Sequence, residues 1–114
     1  MNTLCVIPAR MASSRFPGKP MKLINGIPMI KRVYDNVAAN HKITHTYVAT
    51  CDKKIFNFIN SFKNNAIMTS SRHKRATDRT AEALIKIEKK LKTKFNTILM
   101  LQGDEPMITS SMIS

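Results

Sequence analysis

Leu4-Cys5-Val6-Ile7-Pro8-Ala9-Arg10-Met11-Ala12-Ser13-Ser14-Arg15-Phe16-Pro17-Gly18-Lys19-Pro20 joins a short apolar run to a cationic loop. Leu4 to Ile7 has no polar interruption, as expected of a strand buried on both faces of a sheet. The loop that follows is punctuated by Pro8, Pro17, Gly18 and Pro20 and carries Arg10, Arg15 and Lys19. A strand end with spaced, proline-framed cations suits a polyphosphate. Arg offers a planar fork to two phosphate oxygens, and Lys offers a compact point charge. The plain alternative is three solvated surface cations, which the proline framing disfavours.

Strand and helix signals alternate downstream. Thr3 to Ile7 is the first strand, and Asn25-Gly26 marks a tight turn. Pro28 fits the first turn of a helix to about Ala39, with Ile30, Val33 and Val37 on one face. Thr46 to Thr50 is a second strand, and Asp52 is placed to cap a helix striped by Ile55, Ile59 and Phe62. Ala66 to Met68 is a third strand, and Ser70 to Ala76 a polar, basic loop. Thr77 is placed to cap a helix with Asp78 in its first turn and Leu84, Ile87 and Leu91 facing inward. Asn96 to Leu101 is the fourth strand, ending at Gln102-Gly103-Asp104-Glu105-Pro106. This order predicts an α/β fold, a mostly parallel sheet with helices on both faces. Ligands of such sheets bind beyond the carboxyl ends of the strands. If the first and fourth strands are neighbours, the cationic loop and Gln102-Gly103-Asp104 meet at one crevice.

The length of 114 residues fits one domain, and 43% apolar content excludes disorder by composition. No apolar run is long enough to span a membrane, and the N-terminus lacks a signal-peptide layout, so a cytoplasmic location is expected. Cys5 and Cys51 read as small buried residues of a reducing compartment, with no metal-type spacing around them. The net charge of +12 invites a nucleic-acid reading. The cations are spread, however. Lys86, Lys89, Lys90, Lys92 and Lys94 crowd one helix end, where positive charge suits the macrodipole. Aromatics are few (6%) and do not interleave with the cations as a single-strand binder requires. A nucleic-acid partner is therefore not expected.

Asp104 follows a buried strand and can ligate Mg²⁺, which favours oxygen donors. Gly103 beside it lets a substrate approach the backbone. Read alone, Asp104 is a turn residue before a proline; the triphosphate-type loop at another strand end tips it toward metal. Glu105 is a second ligand or only part of the turn. Gln102 either meets a substrate hydroxyl or satisfies backbone groups. In the cluster His73-Lys74-Arg75-Ala76-Thr77-Asp78-Arg79, backbone amides at the start of the helix can bind an anion or read a base edge. Arg79 either reaches the crevice or pairs on the surface with Asp78 or Glu82. Walker A, GxGxxG, GxSxG and HExxH patterns are absent, so kinase, dehydrogenase, hydrolase and zinc-protease readings have no support.

Ile7-Pro8-Ala9-Arg10, Ser13-Ser14-Arg15-Phe16-Pro17-Gly18-Lys19-Pro20, Asn25-Gly26-Ile27-Pro28-Met29-Ile30, Val48-Ala49-Thr50, Thr77-Asp78-Arg79 and Gln102-Gly103-Asp104-Glu105-Pro106 together resemble the CMP-Kdo synthetases, the 3-deoxy-manno-octulosonate cytidylyltransferases. Acylneuraminate cytidylyltransferases share a looser version. The resemblance implies a Rossmann-like nucleotide-diphospho-sugar transferase fold, CTP and an acidic sugar as substrates, Mg²⁺ as cofactor, and a homodimer for the full-length protein. It implies transfer of CMP to the anomeric hydroxyl of the sugar with release of pyrophosphate, for lipopolysaccharide synthesis. Arg10, Lys19 and Asp104 would be catalytic, with Asp104 on the metal. Pro8, Ala9, Ser14, Arg15 and Arg79 would lie at the nucleotide. Gln102 and Gly103 would join them, with Gln102 also at the sugar.

Where the family usually reads His-x-Ser-Gly-Thr-(Glu/Asp)-Arg, this chain has Arg75-Ala76 in place of Ser-Gly. The swap adds bulk and charge and removes backbone freedom, which bears on the base and on the sugar, Kdo or a nine-carbon or amino-substituted relative. Family members are also considerably longer. The expectation is that 1–114 is the N-terminal nucleotide-binding part of a cytidylyltransferase domain, lacking the later sugar-binding and dimerisation part. The rival expectation is a nucleotide or anion binder without turnover.

Overall fold

The computed structural model describes residues 3–11, 21–73 and 75–101. Its elements are β1 (Thr3–Ala9), β2 (Leu23–Ile24), β3 (Ile27–Pro28), α1 (Met29–Ala38), β4 (His45–Thr50), α2 (Lys53–Asn60), β5 (Ala66–Met68), α3 (Ala76–Leu91) and β6 (Thr97–Met100). β5, β4, β1 and β6 form one sheet in that order, every pair parallel. β1 is buried along its whole length, as its uninterrupted apolar run requires.

The period-2 alternation of β1 divides the core between the two faces. Cys5, Ile7 and Ala9 pack with Ile30, Val33, Tyr34 and Val37 of α1 and with Ile55 and Ile59 of α2. Leu4 and Val6 point the other way, with Tyr47, Ala49 and Ile67, onto Ala83 and Ile87 of α3. Leu84 and Leu91 are partly buried against this second cluster. The layered α/β architecture expected from the alternating signals is the one found.

The strand order carries the consequence for function. From β1 the chain moves outward to β4 and then β5, and α3 returns it to the opposite side of β1 as β6. The order therefore reverses across the β1–β6 pair, which makes the carboxyl ends of these two strands the topological switch point.

Local details refine the sequence reading. Asn25 (φ 53°) and Gly26 (φ 79°) both sit in the left-handed region, as a type I′ turn demands, and close a small hairpin pairing Leu23 with Pro28 and Ile24 with Ile27. Pro28 stands at the N-cap of α1 rather than within it. Thr77 does not cap α3: the helix starts at Ala76 with extended Arg75 at its N-cap. The first helical hydrogen bond runs from the Arg79 amide to the Arg75 carbonyl (3.3 Å), earlier than a cap at Thr77 would allow.

Candidate functional site

Parallel strands put all their carboxyl ends on one edge, and among the described residues Arg10, Cys51, Asp52 and the Arg79 side chain lie there. Arg10 follows β1 directly and is half-buried. The neighbouring strand β6 runs parallel to β1, with Thr3, Leu4, Cys5 and Val6 opposite Thr97, Ile98, Leu99 and Met100. The Leu101 amide extends this ladder by donating to the Val6 carbonyl (3.1 Å). The condition set by the sequence is met: the segments that follow β1 and β6 leave adjacent strands at the same edge. Pro8 and Ala9 are the last residues of β1, buried and paired with Ala49 and Thr50 of β4. Ser14, Arg15, Lys19, Gln102, Gly103 and Asp104 lie outside the described residues, and so does Glu105.

Arg79 spans the ends of β4 and β5. It is 2% exposed. Its Nε donates to Thr69 Oγ1 (3.0 Å), and one terminal nitrogen donates to the Ser70 carbonyl (3.2 Å) and lies 3.7 Å from Cys51 Sγ. Of the two alternatives read from sequence, surface pairing is not the one adopted. Asp78 pairs with Arg75 (3.6 Å), and Glu82 pairs with His73 and Lys86 (2.7 Å each). Among the described residues no ion pair involves Arg79. Held among the described residues by neutral groups alone, this buried cation keeps its positive field available to an anion at the strand ends.

Glu82 braces the turn after β5. One carboxylate oxygen accepts from the Ser70 amide (3.0 Å) and contacts His73 Nε2 (2.7 Å). The other accepts from Lys86, which also donates to the Met68 carbonyl (2.8 Å). Burial alone would raise the Glu82 pKa. The hydrogen bonds from Lys86, Ser70 and His73 outweigh it and bring the carboxyl down to about 2. His73 thus serves structure, as its lack of a ligating sequence neighbour suggests.

Three participants escaped the sequence reading. Asp52 was read as a helix cap; it stands at the N-cap of α2 but makes no capping hydrogen bond, and its Oδ2 accepts from the Met11 amide (2.9 Å) instead. Cys51 was read as a core residue, yet it is half-buried at the end of β4, 3.9 Å from Asp52 Oδ2. Glu82 looked like one more charge on a helix surface. Cys5 is the core thiol expected, pushed up to about 12 by burial, and both cysteines are free.

Among the described residues, no group of three or more His, Cys, Asp and Glu gathers in a way that could hold a metal ion. The metal ligand expected from sequence, Asp104, lies outside them. A surface hollow of about 400 Å³ lined by Ile85, Glu88, Lys89, Lys92, Thr93 and Lys94 belongs to the opposite end of α3 and shares no residue with this edge. No described helix is long and apolar enough to cross a membrane.

Comparison with known proteins gives a consistent picture. A family model described as cytidylyltransferase matches residues 4–114. A 3-deoxy-manno-octulosonate cytidylyltransferase of Thermodesulfovibrio yellowstonii is 44% identical, over 99% of this chain and 45% of its own length. An 8-amino-3,8-dideoxy-manno-octulosonate cytidylyltransferase of a Shewanella species is 40% identical, again over 99% and 45%. The solved structure of a CMP:2-keto-3-deoxy-manno-octonic acid synthetase complexed with CTP superposes with a TM-score of 0.86 at 37% identity, covering 99% of this chain and 44% of that one. The chain spans less than half the length of the curated relatives it matches.

Proposed function

The chain belongs to the cytidylyltransferase family, and from that premise we propose that it is the nucleotide-binding part of an enzyme that moves CMP from CTP to the anomeric hydroxyl of an acidic 3-deoxy sugar. The observation that carries this reading is the parallel β1–β6 pair, whose neighbouring carboxyl ends at the switch point precede the cationic loop and Gln102-Gly103-Asp104 in the sequence. The names of the 44% and 40% identical relatives favour Kdo or its 8-amino analogue as the sugar.

In this reading the sugar oxygen attacks the α-phosphorus in line. The bond from that phosphorus to the bridging oxygen breaks, pyrophosphate leaves, and the hydroxyl proton passes to solvent. Arg10 and Lys19 hold the triphosphate, and Arg15 adds charge nearby. The work of these cations is to offset negative charge that grows on the leaving oxygen, from positions fixed before reaction. Pro8 and Ala9 offer a rigid strand end for the nucleotide, and Ser14 and Gly103 close approach to it. Arg79 contributes field from the β4–β5 side. Gln102 orients the sugar hydroxyl. Asp104 supplies the hard oxygen donor that suits Mg²⁺, which when bound neutralises phosphate charge and orients the triphosphate. The complete protein works as a homodimer in the cytoplasm, in lipopolysaccharide synthesis.

Pyrophosphate release by the complete protein, with CTP, Mg²⁺ and either Kdo or its 8-amino analogue, tests the proposal. Turnover with at least one sugar is expected. No release with either, by a folded protein, overturns it.

A further inference from the structure

We infer that Asp52 is a positioning residue for the nucleotide site, holding Met11 so that the backbone on both sides of Arg10 is fixed. The inference rests on the proposed function for its link to the nucleotide, and on hydrogen-bond geometry for the rest.

Asp52 occupies the place where an aspartate normally caps a helix, with φ −99° and ψ 121° preceding α2. Its carboxylate forgoes that local use and accepts from the Met11 amide at 2.9 Å, across 41 residues of sequence. The start of α2 is secured without the side chain, because the Phe56 amide donates to the Asp52 carbonyl (3.0 Å). Asp52 is itself fixed by its own amide, which donates to Thr50 Oγ1 (3.1 Å), and Thr50 is fully buried in β4. A rigid strand end therefore carries a charged acceptor aimed at the backbone of the segment after β1. A hydrogen bond to an ionised acceptor is among the stronger ones a backbone amide makes. Arg10 sits between the last residue of β1 and this clamp, so its backbone is restrained on both sides. Restraining the binding segment beforehand removes ordering that a ligand would otherwise have to impose.

The test uses the 114-residue chain and three variants, Asp52→Ala, Asp52→Asn and Asp52→Ser. Asn keeps an acceptor oxygen at the same reach. Ser can cap α2 but is too short to reach Met11. Amide exchange is followed by NMR, and CTP affinity in the presence of Mg²⁺ by calorimetry. For Ala and Ser, Met11 exchange rises about tenfold and CTP binds about tenfold more weakly, while amides of 53–60 keep their protection. Asn returns both readouts to within about threefold of wild type. Unchanged Met11 exchange in Ala and Ser overturns the inference. So does a pattern in which Ser rescues and Asn does not, since that is the signature of a cap. A wild-type chain with no CTP affinity overturns the proposed function instead, and Met11 exchange alone then judges the hold of Asp52 on this backbone.

Discussion

The side chain of Arg79 donates from Nε to the Thr69 hydroxyl at 3.0 Å, so a charged residue of α3 is locked onto the end of β5 at 2% exposure. A guanidinium in such a place, without a carboxylate partner among the described residues, does more for an anion than for stability. An apolar side chain of similar length avoids the desolvation cost of a buried charge, which offsets part of what the lost hydrogen bonds contribute. Arg79→Met is therefore expected to change unfolding free energy by no more than about 1–2 kcal/mol, the loss of its hydrogen bonds being partly offset by cheaper burial. CTP binding is expected to fall at least about tenfold. Urea unfolding beside calorimetry measures both; retained affinity would remove Arg79 from the nucleotide site.

Glu82 makes an acid-sensitive brace. Its folded pKa of about 2 lies below the ordinary 4.5, so the folded state binds its proton less readily than the unfolded chain does. Its stabilisation is complete above about pH 4.5 and is lost as pH falls through about 2. The full effect, screened by solvent at a quarter-exposed carboxylate, is about 1–2 kcal/mol. Glu82→Gln should lower the urea midpoint at pH 7, and the gap from wild type should close by about pH 2. A gap independent of pH would contradict the assignment.

The two thiols should be chemically distinct. Burial pushes Cys5 up to about 12, whereas Cys51 is half-buried at a strand end. Iodoacetamide at pH 8 should modify Cys51 alone in the folded protein and both cysteines in denaturant. Peptide mass mapping reads the result. Faster labelling of Cys5 than of Cys51 would contradict the placement of β1 in the core.

Gly26 isolates a backbone effect. A Cβ there would meet nothing within 4 Å, yet φ is +79°. Gly26→Ala should therefore cost about 1 kcal/mol from conformation alone, lowering the melting temperature by roughly 5 °C. No change in melting temperature would mean that the turn relaxes out of the left-handed region.

Much of this architecture was legible in the sequence. Ala66–Met68 is the third strand as read, and the stripe of Ile55 and Ile59 faces the core as periodicity requires. The neighbouring of β1 and β6 could only be posed as a condition, because pairing order is set by crossovers and not by local pattern. Asp52 shows a related limit: it stands at the N-cap of α2, but its side chain serves elsewhere. Its local context is that of a helix cap, and a contact to Met11 across 41 positions leaves no periodic trace. Arg79 stays open in sequence between the crevice and a surface pair, because arginine is usually exposed. Its burial is decided by Thr69, Ser70 and Cys51, which only folding brings together.

The placement of β6 has one more outcome. Among the described strands it is an outer member of the sheet, four residues long, with Met100 42% exposed. Among the described residues its outer side pairs with no other strand, and backbone donors and acceptors in that position are a template for another strand. An added peptide of matching register is therefore expected to dock there as one more parallel or antiparallel neighbour.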